Sequence, residues 1–177
     1  GKFVKAKGVE LKDVPDLHKY KNNFEAHLMA LKPSAFIRKL KEKGFKKIIF
    51  HFEACKDNKE IINVIELVKK EKMAAFLALN PETEVDNVMP FISKVDGIML
   101  MGVNPGREHQ DFISSVYGKI AKLREHNRKV IIQVDGGVNF DAIKNLRRLG
   151  IDIANIGSLV AEAKEPKKAL AKLKKLF

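Results

Sequence analysis

The residues best suited to chemistry lie where a buried strand is predicted to end, at Asp135-Gly136-Gly137. The preceding stretch, 130–134, reads V-I-I-Q-V, a composition typical of a parallel strand covered by helices on both faces. Glycines free the backbone from the limits that a β-carbon imposes, so a tight turn can bring its N–H groups close to an anion. The sequence therefore predicts Asp135 at the carboxyl end of a strand, beside a phosphate-binding turn, where α/β proteins usually carry their chemistry.

Six strand-then-helix units are predicted to position this turn. Apolar runs predict strands at 24–31, 47–52, 73–79, 95–103, 130–134 and 151–156. Helical spacing of apolar residues predicts helices at 34–43, 58–70, 85–93, 111–127, 140–149 and 165–176. Phe112 is expected on the inward face of the fourth helix, and Leu170 is expected on one side of the last helix, with Ala169, Leu173 and Leu176. No hairpin signal separates the units, so the strands should be parallel, in an open doubly wound sheet or a barrel.

Composition limits the class of protein. The 177 residues and their 45% hydrophobic content predict one domain over residues 1–177, and the single cysteine, Cys55, excludes an internal disulfide. No secretion signal is apparent and no apolar run approaches about 18 residues, so a cytoplasmic protein with no membrane contact is expected. The net charge of +12 comes from 34 Lys+Arg against 22 Asp+Glu. Because the basic residues recur on helix faces without interleaved aromatics, a solvated surface is favoured over a specific nucleic-acid partner.

Several short motifs, in order and at characteristic spacings, resemble those of the ribulose-phosphate 3-epimerase family. They are H-L-M at 27–29, F-H-x-E at 50–53, A-L-N-P-E-T at 78–83, M-x-V-N-P-G at 101–106, V-D-G-G-V-N at 134–139 and G-S at 157–158. The resemblance implies an α/β fold of the (β/α)8 TIM-barrel type, with six β-α units here. The opening G-K-F-V resembles the middle of the motif on the family's second strand, so the first strand, first helix and second strand would be missing, through truncation or because another chain supplies them.

The resemblance implies a metal-assisted epimerisation of a ketopentose 5-phosphate, D-ribulose 5-phosphate to D-xylulose 5-phosphate. Two aspartates would transfer protons on opposite faces of the substrate, and a divalent metal ion (Zn, Fe, Mn or Co) would stabilise the enediolate. Asp135 matches the second aspartate, as acid/base and metal ligand, and His27 matches one histidine ligand. The other aspartate and histidine belong to the missing strand, so the chain as given is expected to be inactive.

The substrate-binding residues are predicted on glycine-containing loops and at positions that line the pocket. Backbone N–H groups at Gly136, Gly137 and Gly157, with the Ser158 hydroxyl, fall on loops that hold phosphate in barrels of this kind. The resemblance adds His27, Met29, Met101 and Gly106 as substrate-contacting positions. The loop at 104–110 departs from the family's N-P-G-F-G-G-Q. Arg107 replaces the phenylalanine of that motif, and Glu108 and His109 replace its last two glycines. Glu108 would repel an anion, whereas Arg107 could pair with phosphate.

Each site residue also has a structural interpretation. His27 could be a core histidine, Asp135 a turn residue, and Met29 and Met101 core filler. His51 and Glu53 fit the rim of the site or a structural role equally.

Other functions stay open at this point. They are a related phosphosugar enzyme such as allulose-6-phosphate 3-epimerase or hexulose-phosphate synthase, and a non-catalytic barrel that binds anionic partners. A lyase of the orotidine-decarboxylase kind would favour a D-x-K-x-x-D stretch, which is absent. The two unpaired edges expected at 24–31 and 151–156 predict self-association as a homo-oligomer.

Overall fold

The computed structural model describes residues 3–6, 8–107 and 109–176. Gly1 and Lys2, which open the proposed partial motif, and Glu108 lie outside the described residues. Within the described part, β-strands alternate with helices. The strands are β1 (Glu25–Leu28), β2 (Lys47–His51), β3 (Ala74–Leu79), β4 (Gly97–Met101), β5 (Ile131–Asp135) and β6 (Ile153–Asn155). The α-helices are α1 (Ile37–Glu42), α2 (Asn58–Lys70), α3 (Val116–His126), α4 (Phe140–Arg148), α5 (Ser158–Ala161) and α6 (Pro166–Leu176).

The strands form a sheet whose order follows the chain from β1 to β6. β1 pairs with β2, β2 with β3, and β5 with β6, all in parallel. The described part of the chain separates into two compact units. The first contains the described residues up to Ala78 together with Val88–Gly97, and the second contains Leu79–Asn87 and the described residues from Ile98 onwards. Among the described residues, no helix combines the length and apolarity needed to cross a membrane.

The first unit is built around buried parallel strands. Ile48, Ile49 and Phe50 of β2 are fully buried, as expected for a strand covered on both faces. Helix α2 begins after Asp57, whose side chain accepts a hydrogen bond from the Glu60 backbone N–H at 2.8 Å. The apolar stripe of α2 turns inward at helical spacing and packs in the core, through Ile61, Val64, Ile65 and Val68.

The second unit repeats the same construction. Ile132, Gln133 and Val134 of β5 are fully buried, and the strand ends at the half-buried Asp135. Helix α4 begins after Asn139, whose side chain accepts from the backbone N–H groups of Asp141 and Ala142. The strand and the cap therefore set the length of the turn that connects β5 to α4.

An aspartate in each unit fastens the amino-terminal end of a strand pair. In the first unit, the Asp96 carboxylate accepts from the Ala75 N–H at 2.8 Å, and the Asp96 N–H donates to the Ala75 carbonyl at 2.8 Å. In the second unit, Asp152 makes the same two bonds with Ile132, at 2.7 and 2.9 Å. Arg124 of α3 also donates to the Asp152 carboxylate, at 2.6 Å. In the second unit, these reciprocal bonds continue the β5–β6 ladder beyond the regular strands and hold its register.

The predicted strands and helices are found in the predicted order, with several corrections to type and extent. The stretch predicted as a helix at 85–93 is a 3-10 helix, Val85–Phe91, and it contains Pro90, which has no N–H to donate. Helix α3 begins only at Val116, so the prediction of Phe112 on its inward face is wrong. Leu170 of α6 is 44% exposed, whereas Leu173, predicted on the same side of the helix, is buried. The short helix α5 was not predicted.

Candidate active site

Asp135 occupies the predicted position at the carboxyl end of β5. Its backbone carbonyl accepts a hydrogen bond from the Gly102 N–H at 2.6 Å, which fixes the strand end from the loop after β4. Gly136 and Gly137 follow with φ of +98° and +66°, in the left-handed region that favours glycine. The sequence predicted a tight turn here that needs glycine, and the positive φ angles confirm this.

The same glycines also permit close packing of two loops. A β-carbon on Gly136 would meet the Val103 side chain, and one on Gly137 would meet the Phe112 backbone at 2.9 Å. A β-carbon on Gly102 would meet the carbonyl oxygen of Gly136. Sequence reasoning missed this contact because Phe112 was assigned to a helix. The glycines at 136 and 137 are thus required by the packing of the fold, independently of any ligand.

Two amide side chains form a pair beside Asp135. Gln133 is fully buried in β5, and its Nε2 atom donates to the Oδ1 atom of Asn155 in β6 at 2.8 Å. In the register of these strands, Asp135 is opposite Asn155. Neither amide was identified from the sequence, because an apolar strand containing one glutamine gives no signal of its partner until the register is known.

Gly157 and Ser158 lie at the start of α5, and both are exposed. A β-carbon on Gly157 would meet nothing within 4 Å, so the space at this position is open, unlike that at Gly136 and Gly137. The Val160 and Ala161 N–H groups donate to the Gly157 carbonyl, as in an ordinary helix start. The first N–H groups of such a helix point out of it, which suits the predicted role of Ser158.

The loop at 104–110 is held by Gln110. Its Nε2 atom donates to the Asn104 carbonyl at 2.7 Å and to the Arg107 carbonyl at 2.9 Å. Gly106 and His109 adopt positive φ, +87° and +56°. A histidine therefore takes a left-handed position that favours glycine, which is the residue this position has in the family pattern.

A buried lysine holds the loop that follows β3. Lys119 of α3 is 9% exposed, and its ammonium donates to the carbonyls of Asn80, Pro81 and Thr83, at 3.2, 2.5 and 2.5 Å. Three acceptors match the three donors of an ammonium group. The A-L-N-P-E-T motif thus has a physical explanation in this chain, since the charge orders the carbonyls of the loop.

In the first unit, His27 is bonded to a second histidine. The Nε2 atoms of His27 and His51 are 2.8 Å apart, and their rings are nearly parallel, at 9°. The Nδ1 atom of His51 lies 3.3 Å from the Glu53 carboxylate, and Phe3 packs on the His51 ring at 4.9 Å between centroids. His51 is fully buried, so of its two sequence-based interpretations the structure supports the structural one.

The predicted metal ligands, His27 and Asp135, do not belong to a cluster of ligating side chains among the described residues. No group of three His, Cys, Asp or Glu side chains in residues 3–6, 8–107 and 109–176 is placed to hold a metal ion. The Nε2 atom of His27 is moreover engaged with His51. The described residues by themselves therefore do not complete a divalent metal centre.

The methionines predicted to line the pocket differ in exposure. Met101, at the end of β4, is 2% exposed, and Met29, just after β1, is half-buried. Cys55, for which no chemistry was predicted, follows the Phe52–Ala54 3-10 helix in the first unit. Burial raises the pKa of its thiol to about 12, and the carboxylates of Glu60, Asp57 and Glu53 add to the shift.

The fold is shared with barrel enzymes of known structure. 3-Hexulose-6-phosphate synthase from Salmonella typhimurium superposes with a TM-score of 0.72 at 16% identity, over 90% of this chain and 75% of that one. Orotidine 5'-phosphate decarboxylase from Pyrococcus horikoshii OT3 gives a TM-score of 0.65 at 13% identity, over 90% and 76%. The fold class is therefore α/β of the (β/α)8 TIM-barrel type, as predicted, with an acidic residue and a glycine turn where β5 ends.

Sequence comparison identifies the family within this class. The pattern of the Ribulose-phosphate 3 epimerase family matches residues 1–161, and the chain belongs to that family. Ribulose-phosphate 3-epimerase from Schizosaccharomyces pombe is 29% identical over 151 residues, covering 85% of this chain and 65% of the relative. The Eremothecium gossypii enzyme is 30% identical over 151 residues, covering 85% and 62%, and that of Bacillus subtilis 32% over 155, covering 85% and 70%. The chain thus spans less than two thirds of the first two relatives.

Proposed function

We propose that this chain carries part of the active site of a phosphosugar epimerase that converts D-ribulose 5-phosphate to D-xylulose 5-phosphate. The observation that carries the proposal is the position of Asp135. It ends a buried strand within the residues that match the family, and the two glycines of the V-D-G-G motif follow it. A carboxylate fixed at a strand end can remove the proton next to a substrate carbonyl and return it. The proposed role of Asp135 is this acid/base step on one face of the substrate.

The phosphate is assigned mainly to Gly157 and Ser158. The space beside Gly157 is open, whereas Gly136 and Gly137 are close to Val103 and Phe112. The N–H groups at the start of α5 and the Ser158 hydroxyl supply donors for phosphate oxygens. Gly106 and the exposed Arg107 of the 104–110 loop are the second proposed contact.

The metal prediction rests on the family motifs, which match His27 and Asp135. A divalent metal ion, when bound, would stabilise the negative charge that develops as the proton leaves. Because the described residues do not complete such a centre, we propose that the 177 residues alone do not turn over substrate. We also propose His27, Met29 and Met101 as substrate contacts in the complete site. The complete protein is proposed to be a metabolic enzyme of the cytoplasm and to form homo-oligomers.

Two measurements on the purified chain test the proposal. We expect no D-xylulose 5-phosphate from D-ribulose 5-phosphate with Zn²⁺, Mn²⁺, Co²⁺ or Fe²⁺, and an ordinary turnover rate would contradict this. In a ¹⁵N NMR titration with D-ribulose 5-phosphate, we expect saturable shifts of the Gly157 and Ser158 amides, absent with unphosphorylated D-ribulose. Ser158→Ala should weaken this binding, whereas Ser115→Ala, a change at an exposed serine whose side chain caps no helix, should not.

The sequence of the 104–110 loop differs from the family motif, and this difference favours a second candidate substrate, a phosphosugar of a different size. Arg107 and His109 stand where the family pattern has an aromatic residue and a glycine, and both are exposed. Tighter binding of D-allulose 6-phosphate than of D-ribulose 5-phosphate would support this candidate. Binding of any polyanion with a steep salt dependence would instead support the non-catalytic, anion-binding alternative.

A further inference from the structure

We propose that Gln133 and Asn155 are positioning residues for Asp135, with the Asn155 side-chain amide donating to the Asp135 carboxylate and Gln133 fixing the direction of that amide. The inference rests on the proposed function, because it assigns a task to two residues through the acid/base role of Asp135. Both residues lie outside the motifs that resemble those of the family.

The strand register places the three side chains together. Side chains alternate along a strand, so Gln133 and Asp135 share one face of β5, and Asn155 and Ile153 share one face of β6. Gln133 is opposite Ile153 and Asp135 is opposite Asn155. The 2.8 Å contact between Gln133 and Asn155 shows that these two faces are the same side of the sheet. Asn155 and Asp135 are therefore neighbours on that side, on strands about 4.8 Å apart.

The hydrogen-bond chemistry gives the Asn155 amide a direction. An asparagine side chain has one oxygen that accepts and one nitrogen that donates. The Gln133 Nε2 atom donates to the Asn155 oxygen, so the Asn155 nitrogen, which is the donor end, points away from Gln133. An ionised carboxylate only accepts, and Asp135, which carries such a group, is opposite Asn155 in the register.

The cost of burying these amides favours a functional explanation. Gln133 is fully buried on a strand whose neighbours Ile132 and Val134 are aliphatic and equally buried. Burying an amide is unfavourable unless its hydrogen bonds are made, so an aliphatic residue would stabilise this strand more simply. The backbone of Asp135 is already fixed by Gly102, and the amide pair would fix its side chain as well. One carboxylate oxygen would be held by Asn155, leaving the other for the substrate proton.

NMR of the side-chain amides of the full chain tests the inference. We expect the Asn155 Nδ2 protons to be protected from exchange, and Asp135→Ala to shift their resonances and speed their exchange roughly five- to tenfold. Gln133→Met, which keeps the volume and removes the donor, should have the same effect on exchange. Asp141→Asn, an exposed change in the same unit, should leave the Asn155 signals unchanged.

Two further results separate a positioning role from a structural one. Asn155→Asp keeps an acceptor for Gln133 but removes the donor, so the Gln133 amide signals should persist while the Asp135 side-chain ¹³C signal moves. If Asp135→Ala leaves the Asn155 amide unchanged, the inference is wrong, even where the D-ribulose 5-phosphate titration succeeds. If the Asn155 amide responds to Asp135→Ala but D-ribulose 5-phosphate does not bind, the positioning contact stands and the proposed function fails.

Discussion

His27 and His51 share a hydrogen bond between their Nε2 atoms, 2.8 Å long, in rings only 9° from parallel. The Glu53 carboxylate can only accept, so the Nδ1 atom of His51, 3.3 Å from it, is the donor in that contact. The orientation of the His51 ring is therefore held by a carboxylate two residues along the chain. The metal ion proposed for the complete site would reach the Nε2 atom of His27 only if the bond to His51 were broken.

The first prediction concerns this histidine pair. His51→Phe should lower the free energy of unfolding by about 1–3 kcal/mol, because the Nε2 atom of His27 loses its hydrogen-bond partner while the aromatic volume is kept. Urea denaturation followed by circular dichroism measures the change. His18→Phe, at an exposed position, is the control and should have little effect. Equal stability of His51→Phe and the unsubstituted chain would show that the pair is not a stabilising contact.

The second prediction compares two glycines that differ in backbone and surroundings. Gly136→Ala should destabilise by about 2 kcal/mol or more, because Gly136 has φ of +98° and its β-carbon would meet Val103. Gly118→Ala should stabilise by about 0.5–1 kcal/mol, because Gly118 is in α3 with nothing within 4 Å. Thermal unfolding of both variants, measured together, gives the two opposite shifts. A tolerated alanine at 136 would contradict the close packing of the two loops.

The third prediction concerns the lysine that holds the loop after β3. Lys119→Met should cost about 2–4 kcal/mol, because three carbonyls lose a charged donor at a buried position. Lys122→Met is the matched control on the same helix. Its ammonium is exposed and pairs with Asp86 at 2.6 Å, a contact that raises the pKa of Lys122, and its loss should leave stability unchanged. Hydrogen exchange should show faster opening of residues 80–83 in Lys119→Met alone.

The fourth prediction follows from the raised pKa of Cys55. At pH 8 the native thiol should react with a disulfide reagent far more slowly than in denaturant, because the thiolate is the reactive form. The ordinary pKa of 9.0 applies to the unfolded chain and a pKa of about 12 to the native one. The unfolded state therefore loses its proton first, so this contribution to stability is complete below pH 9 and is lost between pH 9 and about 12. Cys55→Ser should remove that part of the alkaline loss.

The fifth prediction concerns strand edges. Among the described strands, β1 and β6 are the first and last in the sheet order. Edge strands expose N–H and C=O groups that can pair with another chain. Sedimentation velocity should therefore show association that increases with protein concentration. A sedimentation coefficient that stays that of a monomer up to high concentration would contradict the prediction of homo-oligomers.

The sequence predicted most where a pattern was strong and local. Helix α2 has its predicted bounds, Asn58–Lys70, because a capping aspartate and a regular apolar stripe specify both its start and its inward face. Strand β4 was predicted too long, since Val95 and Val103 are buried without belonging to the strand. Burial extends past the hydrogen-bonded ladder, and an apolar run alone cannot distinguish the two.

The candidate site was predicted only in part, for a similar reason. Asp135 could be placed at a strand end from its own neighbours in the chain. The pairing of Gln133 with Asn155 and of His27 with His51 depends on strand register, which joins residues 22 and 24 positions apart. No local pattern carries that information. The packing of Phe112 on Gly137 likewise depends on the path of a loop.

The aspartates that fasten the strand pairs, Asp96 and Asp152, have a consequence for how such proteins diversify. In the second unit, Asp152 fixes β5 and β6 near their amino-terminal ends, whereas Asp135 and Asn155 are at their carboxyl ends. One set of residues thus holds the register, and another carries the proposed chemistry. Substitutions at the carboxyl ends could change the proposed sugar specificity while the opposite ends keep the strands aligned, so a change of substrate need not cost folding stability.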